Sequence, residues 1–250
     1  MEHKDLFTGK ANAYTQARPS YPSALIDDLC KSHGFNPQSV VADIGSGTGK
    51  FAKLLLQKGC KVFCVEPNLE MRTTAEAELH TYSNFVSVDA DASNTTLADG
   101  SVDFVTAAQA FHWFDTLQFK NECKRIAKPN AKAVLVWNNR TKNSPLHIQS
   151  KQIFETFCPR FKGFSGGVQD ITQRIDFFFD GCYETVSYPN PVFCNEEQFI
   201  KRCLSSSYAL NPADANYDAM IKALHTLFAD LAKENTVQMD YTTVAYIGNI

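Results

Sequence analysis

No apolar run in this 250-residue sequence approaches the roughly 20 residues that a bilayer-spanning helix requires. The first residues, Met1-Glu2-His3-Lys4-Asp5, are charged and have no apolar stretch behind them, so no secretory leader is predicted. Together these absences point to a cytoplasmic protein with no membrane partner. Charge of one sign is also lacking. The net charge of −3 gives no basic excess, so no nucleic-acid partner is expected on electrostatic grounds. Eight cysteines are present, but no two are spaced as C-x-x-C, so neither a zinc site nor a thioredoxin-like redox motif is expected. Cys60 and Cys64 bracket an apolar stretch that reads as a strand. At about 3.3 Å per residue they would lie roughly 13 Å apart, too far for a disulfide. Reduced, mostly buried thiols are the expectation. Internal repeats and low-complexity tracts are absent as well.

What is present is an alternation of strand and helix. Residues 1–38 read as a helical lead-in, broken by Pro19 and Pro22, with a helix from Ser23 to Ser32. Short apolar runs predict strands at Val40 to Ile44, Lys61 to Glu66, Phe85 to Val88, Val102 to Ala107 and Ala133 to Trp137. Between them, helices are expected over Lys50 to Lys58, from an Asn68 cap through Leu79, and from about Leu117 to Ala127. Strands apolar on both faces and separated by helices imply a mostly parallel sheet with helices covering both sides. After Arg140 the pattern becomes aromatic and irregular, and Phe177-Phe178-Phe179 reads as packing. Late strands are expected at Glu184 to Tyr188 and Val237 to Ile247, with helices near Glu196–Ser205 and Asp214–Glu234. The predicted organisation is a lead-in (1–38), an α/β core (39–140), a mainly helical cap with one late strand (141–235), and a final core strand (236–250).

The strongest local signal is Asp43-Ile44-Gly45-Ser46-Gly47-Thr48-Gly49-Lys50, which leaves a strand and opens a helix. Glycines permit the tight turn and a close ligand approach, and the helix N-terminus contributes free N–H groups. A nucleoside-triphosphate loop would need glycine at Ile44 and Ser or Thr at Phe51. The dinucleotide fingerprint G-x-G-x-x-G fails too, because the third glycine comes one residue early and Lys50 takes its place. Asp43 would repel a phosphate but suits an ammonium group. Glu66 ends the second strand about 20 residues past the loop, where a carboxylate accepts from ribose hydroxyls.

These residues resemble the class I S-adenosylmethionine-dependent methyltransferases. Asp43 to Gly49 looks like their first motif. Val65-Glu66-Pro67-Asn68 with Met71 looks like their second-strand motif, and Asp91-Ala92 like the pair that holds adenine. Asp99-Gly100-Ser101-Val102-Asp103 and Ala108-Gln109-Ala110-Phe111-His112-Trp113-Phe114 look like their fourth-strand region. The last stretch is similar to a small-molecule subgroup that includes trans-aconitate methyltransferases. So is Phe7-x-Gly9-x-Ala11-x-x-Tyr14-x-x-x-Arg18-Pro19-x-Tyr21-Pro22. In the cap, Ser205-Ser206-Ser207-Tyr208 and Tyr241-Thr242-Thr243-Val244-x-Tyr246-x-Gly248 fit the same subgroup. Ser93 departs from it, standing where an acid usually follows the adenine-site alanine.

The resemblance implies a Rossmann-like seven-stranded sheet with its last strand antiparallel. It also implies S-adenosylmethionine as cofactor, S-adenosylhomocysteine as product, and methyl transfer to a small molecule, with carboxylic acids the first class to consider. Gly45, Ser46 and Gly47 are expected beside the methionine part, Asp43 at its amino group and Glu66 at both ribose hydroxyls. Asn68 and Met71 are expected to flank the adenine, with Asp91 and Ala92 at its edge. Gln109 is expected near the sulfonium, with Tyr14 and Arg18 folding over the cofactor from the lead-in. On the acceptor side His112 is the candidate base or positioning group. Trp113 is a candidate pocket wall, and Arg140 a candidate partner for an acidic acceptor. Each of these residues also has a purely structural reading. An RNA or protein methyltransferase and a cofactor-binding module without turnover are the alternatives.

Overall fold

The computed structural model describes residues 19–164, 171–206 and 208–250. Tyr14, Arg18 and Ser207 lie outside the described residues, as do Phe7, Gly9 and Ala11. Helix α1, Ser23–Ser32, leads into an alternation of β1 (Val40–Ile44), α2 (Lys50–Gln57), β2 (Lys61–Val65), α3 (Leu69–Leu79) and β3 (Phe85–Val88). The chain then crosses back to β4 (Val102–Ala108) and passes through a 3-10 turn at Phe111–Trp113. Helix α4 (Thr116–Ile126) and strand β5 (Ala127–Arg140) follow. The remaining elements are α5 (Pro145–Phe157), α6 (Ile171–Phe178), β6 (Glu184–Pro189), β7 (Val192–Cys194), α7 (Glu196–Leu204), α8 (Tyr217–Leu231), β8 (Val237–Met239) and β9 (Tyr241–Asn249).

Seven strands form one sheet in the order β3-β2-β1-β4-β5-β9-β6. Strands β1 to β5 run parallel, and β9 is antiparallel to both of its neighbours, β5 and β6. This is a Rossmann-like α/β fold. The strand order reverses between β1 and β4, so a crevice opens beyond the carboxyl ends of these strands, the usual ligand position in open α/β sheets.

Alternation along β1 explains the two-sided core. Val41 packs with Leu25, Leu29, Phe51 and Leu55 under α1 and α2. Ala42 and Ile44 face the opposite side, with Phe111, Phe119 and Phe178 under α4 and α6. A third cluster, around Phe154, Phe199, Met220, Leu224 and Met239, belongs to the elements after β5. All eight cysteines are free, and Cys60 and Cys64 are buried. No described helix is long and apolar enough to cross a membrane, and the described residues hold no group able to bind a metal ion.

Three expectations need correction. The strand expected from Val237 to Ile247 is broken: β8 pairs with β7 in a separate two-stranded sheet, and only β9 joins the main one. The break falls at Asp240, whose carbonyl accepts from the Thr141 N–H at 3.0 Å. Its carboxylate accepts from the Ser144 hydroxyl at 2.9 Å, so Asp240 ties the start of α5 to the sheet instead of continuing the strand. Strand β5 is longer than its apolar run and carries Arg140 as its last residue. Of the phenylalanine triplet, Phe178 and Phe179 are buried, whereas Phe177 is 49% exposed with the Lys120 ammonium 5.0 Å from its ring.

Candidate active site

The glycine loop is held by its own backbone and by the end of β2. Gly45, Gly47 and Gly49 all have positive φ, at 66°, 57° and 76°, which a side chain would strain. The Gly45 and Ser46 N–H groups donate to the Val65 carbonyl at the end of β2. A Cβ at Gly45 would come within 2.7 Å of Ala110, whereas one at Gly47 would meet nothing within 4 Å. Close packing therefore forces the first glycine. At Gly47 the backbone conformation alone demands it, and open space lies beside it.

Both predicted acids are buried here. Glu66 accepts from the Gly47 N–H through Oε2 and from the Asn68 N–H through Oε1, each at 2.9 Å. Asp43 Oδ1 accepts from the Thr106 hydroxyl at 2.6 Å. Its Oδ2 is buried and has no hydrogen-bond partner among the described residues. Burial pushes the Asp43 carboxyl up to about 7. The Thr106 hydroxyl opposes that rise, the charge of Glu66 adds to it, and the Ala52 N–H in the first turn of α2 opposes it weakly. Burial also raises Glu66, against the pull of the Asn68 and Gly47 N–H groups.

A cavity of about 600 Å³ opens over this loop. Asp43, Gly45, Ser46, Gly47, Glu66, Asn68, Met71, Asp91, Ala92 and Gln109 all line it, so the structure brings together every described residue expected to hold the cofactor. Some of these side chains are partly committed already. Asn68 caps α3 by accepting from the Met71 N–H at 3.0 Å. Asp91 Oδ1 accepts from the Ser93 N–H and hydroxyl and from the Asn94 N–H, leaving Oδ2 as its available oxygen. Gln109 stands at φ 58° just past β4 and donates to the Asn138 carbonyl at 3.2 Å.

The acceptor-side candidates separate. Trp113 lines the cavity, but His112 and Arg140 do not. The His112 ring packs 4.7 Å from the Trp113 ring. The Arg140 guanidinium lies over Phe164 at 4.2 Å and Tyr241 at 5.7 Å.

Four positioning residues escaped the sequence reading. Thr106 is the hydroxyl partner of Asp43, and its signal is a polar residue inside the apolar run of β4. Asn138 also lines the cavity. It donates to the Ser20 carbonyl and accepts from Asn190 and Thr243, tying α1's approach to β5, β9 and the loop after β6. Arg72 donates to the Glu66 carbonyl at 2.9 Å and to Asp89 at 2.8 Å, fixing the ends of β2 and β3. Arg174 donates to the carbonyls of Phe111, His112 and Phe114, clamping the turn that carries Trp113. Nothing in the local sequence around Arg174 announces that role.

The site therefore presents two buried acids, one with an unused oxygen, around a glycine loop with open space above it. That donor and acceptor set repels phosphate and suits a ligand with a cationic amino group and vicinal hydroxyls. Residues 42–135 match the model of a methyltransferase domain. Over that stretch the chain carries a methyltransferase domain. An uncharacterized methyltransferase of Schizosaccharomyces pombe is 27% identical, over 93% of this chain and 92% of that protein. One from Mycobacterium tuberculosis is 37% identical over 54% of this chain, and the match spans 52% of its length, about half. Among solved structures, a provisional type II methyltransferase from Anaeromyxobacter dehalogenans superposes with a TM-score of 0.66 at 20% identity. It covers 93% of this chain and 97% of that one. A phosphoethanolamine N-methyltransferase of Haemonchus contortus in complex with S-adenosyl-L-methionine superposes at 0.56 with 14% identity. The match takes in 98% of this chain and 59% of that one. These superpositions establish the methyltransferase fold.

Proposed function

We propose that this chain transfers a methyl group from S-adenosylmethionine to a small molecule, of which carboxylic acids are the leading class, and that it works in the cytoplasm. The observation that carries the reading is the unused Asp43 Oδ2 beside the Glu66-braced glycine loop. A buried acceptor without a donor is costly, and a ligand ammonium relieves that cost directly or through one water. Glu66 retains lone pairs beyond its two N–H bonds, and these accept from ribose hydroxyls. Gly45, Ser46 and Gly47 run along the methionine part. Asn68 and Met71 flank the adenine, Asp91 Oδ2 accepts from its amino group, and the Ala92 N–H meets its ring.

When bound, S-adenosylmethionine supplies a methyl group on a sulfonium, whose sulfur departs as a neutral thioether while the acceptor's lone pair forms the new bond. What the chain adds is placement. Gln109 and Asn138 stand at the end of the crevice, and Trp113 and Phe114 wall it with apolar surface, so the acceptor is oriented and water is kept away. A carboxylate acceptor is already ionised and needs no base. With its ring against Trp113, His112 acts as a positioning group for that wall.

Methyl-labelled cofactor offered with small carboxylic acids, total RNA and protein tests the reading. Label in a small extractable product is expected. Label found only in RNA or protein would overturn the small-molecule reading, and absence of turnover with every acceptor would leave a binding module.

A further inference from the structure

Among the described residues Arg140 is a cation without a counterion. Among the described residues its guanidinium takes part in no hydrogen bond or ion pair and rests on the rings of Phe164 and Tyr241. Stacking covers the face of a guanidinium and leaves its in-plane N–H donors unused. The position is specific. Arg140 and Tyr241 are register partners, as are Asn138 and Thr243. Arg140 therefore lies on the same face of β5 as Asn138, which lines the cavity, and about 7 Å farther along the strand.

Helix α5 lays His147 against the same rings and carries a second buried polar group, Ser150, one turn farther along. His147 and Ser150 are each 3% exposed and sit one turn apart on the buried face of α5, with Phe154 next along it. The His147 ring is 5.4 Å from Tyr241 and 6.2 Å from Phe164. Its Nδ1 lies 3.4 Å from the Thr141 carbonyl, an arrangement that puts the ring proton on Nδ1 and leaves Nε2 an acceptor. Burial first, and the Arg140 charge second, press His147 down to about 4, so it stays neutral. Neither His147 Nε2 nor Ser150 Oγ has a hydrogen-bond partner among the described residues. Asp240, the acid whose field reaches His147, is held by Ser144 and Gln238. Among the described residues, a cation lacking an anion and an acceptor lacking a donor thus meet in one aromatic setting, with an unsatisfied hydroxyl one helical turn away. Packing alone does not explain the two buried groups, because buried polar groups are normally satisfied, and the half-buried Arg140 stands beside them.

We propose that Arg140, His147 and Ser150 form the recognition end of the acceptor site, holding a carboxylate and an adjacent hydroxyl that the acceptor keeps, while a second nucleophilic group of the same molecule reaches the cavity beside Gln109 and Asn138. Arg140 and the Ser150 hydroxyl donate to the carboxylate, and His147 Nε2 accepts from the hydroxyl. The proposal rests on the methyltransferase reading and narrows its substrate class to hydroxycarboxylic acids with a second functional group.

Calorimetric titration of malate, succinate and inorganic phosphate into the protein, with and without S-adenosylhomocysteine, tests it. Malate is expected to bind more tightly than succinate, and phosphate least. Arg140→Gln should weaken both acids by about tenfold or more, with Arg140→Lys recovering part of the loss. His147→Phe should bring malate down to the level of succinate. S-adenosylhomocysteine affinity, unchanged in all three variants, reports that they fold. Equal acid binding by Arg140→Gln and wild type overturns the proposal, as does wild-type protein that binds neither acid or binds phosphate as well. Failure of S-adenosylhomocysteine itself to bind refutes the methyltransferase reading instead, and the titrations without it still judge the subsite.

Discussion

Replacing Asp43 with Asn should change how both stability and ligand affinity depend on pH. Asp43 is 1% exposed, and burial holds its proton up to about pH 7 in the folded chain against an ordinary value of 3.8. Between those two values the folded state binds a proton that the unfolded state has released. Stability therefore falls as pH rises through this window and levels off above it. Each unit of pH is worth about 1.4 kcal/mol, so the loss between about pH 5 and pH 7 is on the order of 3 kcal/mol. Asn preserves the acceptor for the Thr106 hydroxyl and mimics the protonated acid, so this component should vanish in Asp43→Asn. The ligand side has the opposite sign. An ammonium held at Oδ2 favours the ionised acid, so S-adenosylhomocysteine should bind wild type up to about tenfold more tightly per pH unit as pH climbs towards 7. Asp43→Asn should bind weakly with little pH dependence. Urea denaturation and calorimetry across this range measure both effects. Parallel pH profiles for variant and wild type would refute the assignment of the buried proton. Undiminished ligand affinity in Asp43→Asn would remove Asp43 from the site.

Glu66→Ala should weaken S-adenosylhomocysteine by at least about tenfold, or 1.4 kcal/mol, because it removes the proposed ribose acceptor and releases the Gly47 and Asn68 N–H groups; calorimetric titration decides it. Gly49→Ala should cost about 1–3 kcal/mol of stability, since φ is 76° and the new Cβ would lie 2.6 Å from Leu79 Cδ1; an unchanged denaturation midpoint would contradict this. Burial acts to raise Glu122, but hydrogen bonds from Arg125 and then Thr95 outweigh it and hold the carboxyl down to about 2. Its contribution is therefore present above the ordinary value of 4.5 and is lost as pH falls towards 2. The acid arm of the stability profile should flatten in Glu122→Gln.

The parallel half of the fold was legible because buried strands write themselves as short apolar runs, and because glycine spacing and strand-end acids are local. Asp43, Gly45, Ser46, Gly47 and Glu66 are read from one stretch of chain and from its offset to the next strand end. What escaped depends on register. Asp43 meets Thr106 because the two are cross-strand partners, 63 residues apart in sequence, and no local pattern fixes that alignment. Asn138 and Arg174 act in the same way, through carbonyls brought close only by the finished fold. Asp240 ended a strand by binding Ser144, an interaction 96 residues long in sequence and invisible to periodicity. The apolar character of Phe177 marked it as core, yet it sits on the outer side of α6 under Lys120.

The most direct test of the central claim is thermal unfolding with S-adenosylhomocysteine, and with NADH as control. Ligand at 100 times its dissociation constant should add about 2.7 kcal/mol, a rise in Tm of roughly 2–4 °C for a domain of this size, while NADH leaves Tm unchanged. A shift with NADH alone, or a flat response to both ligands, would contradict a cavity built for S-adenosylmethionine.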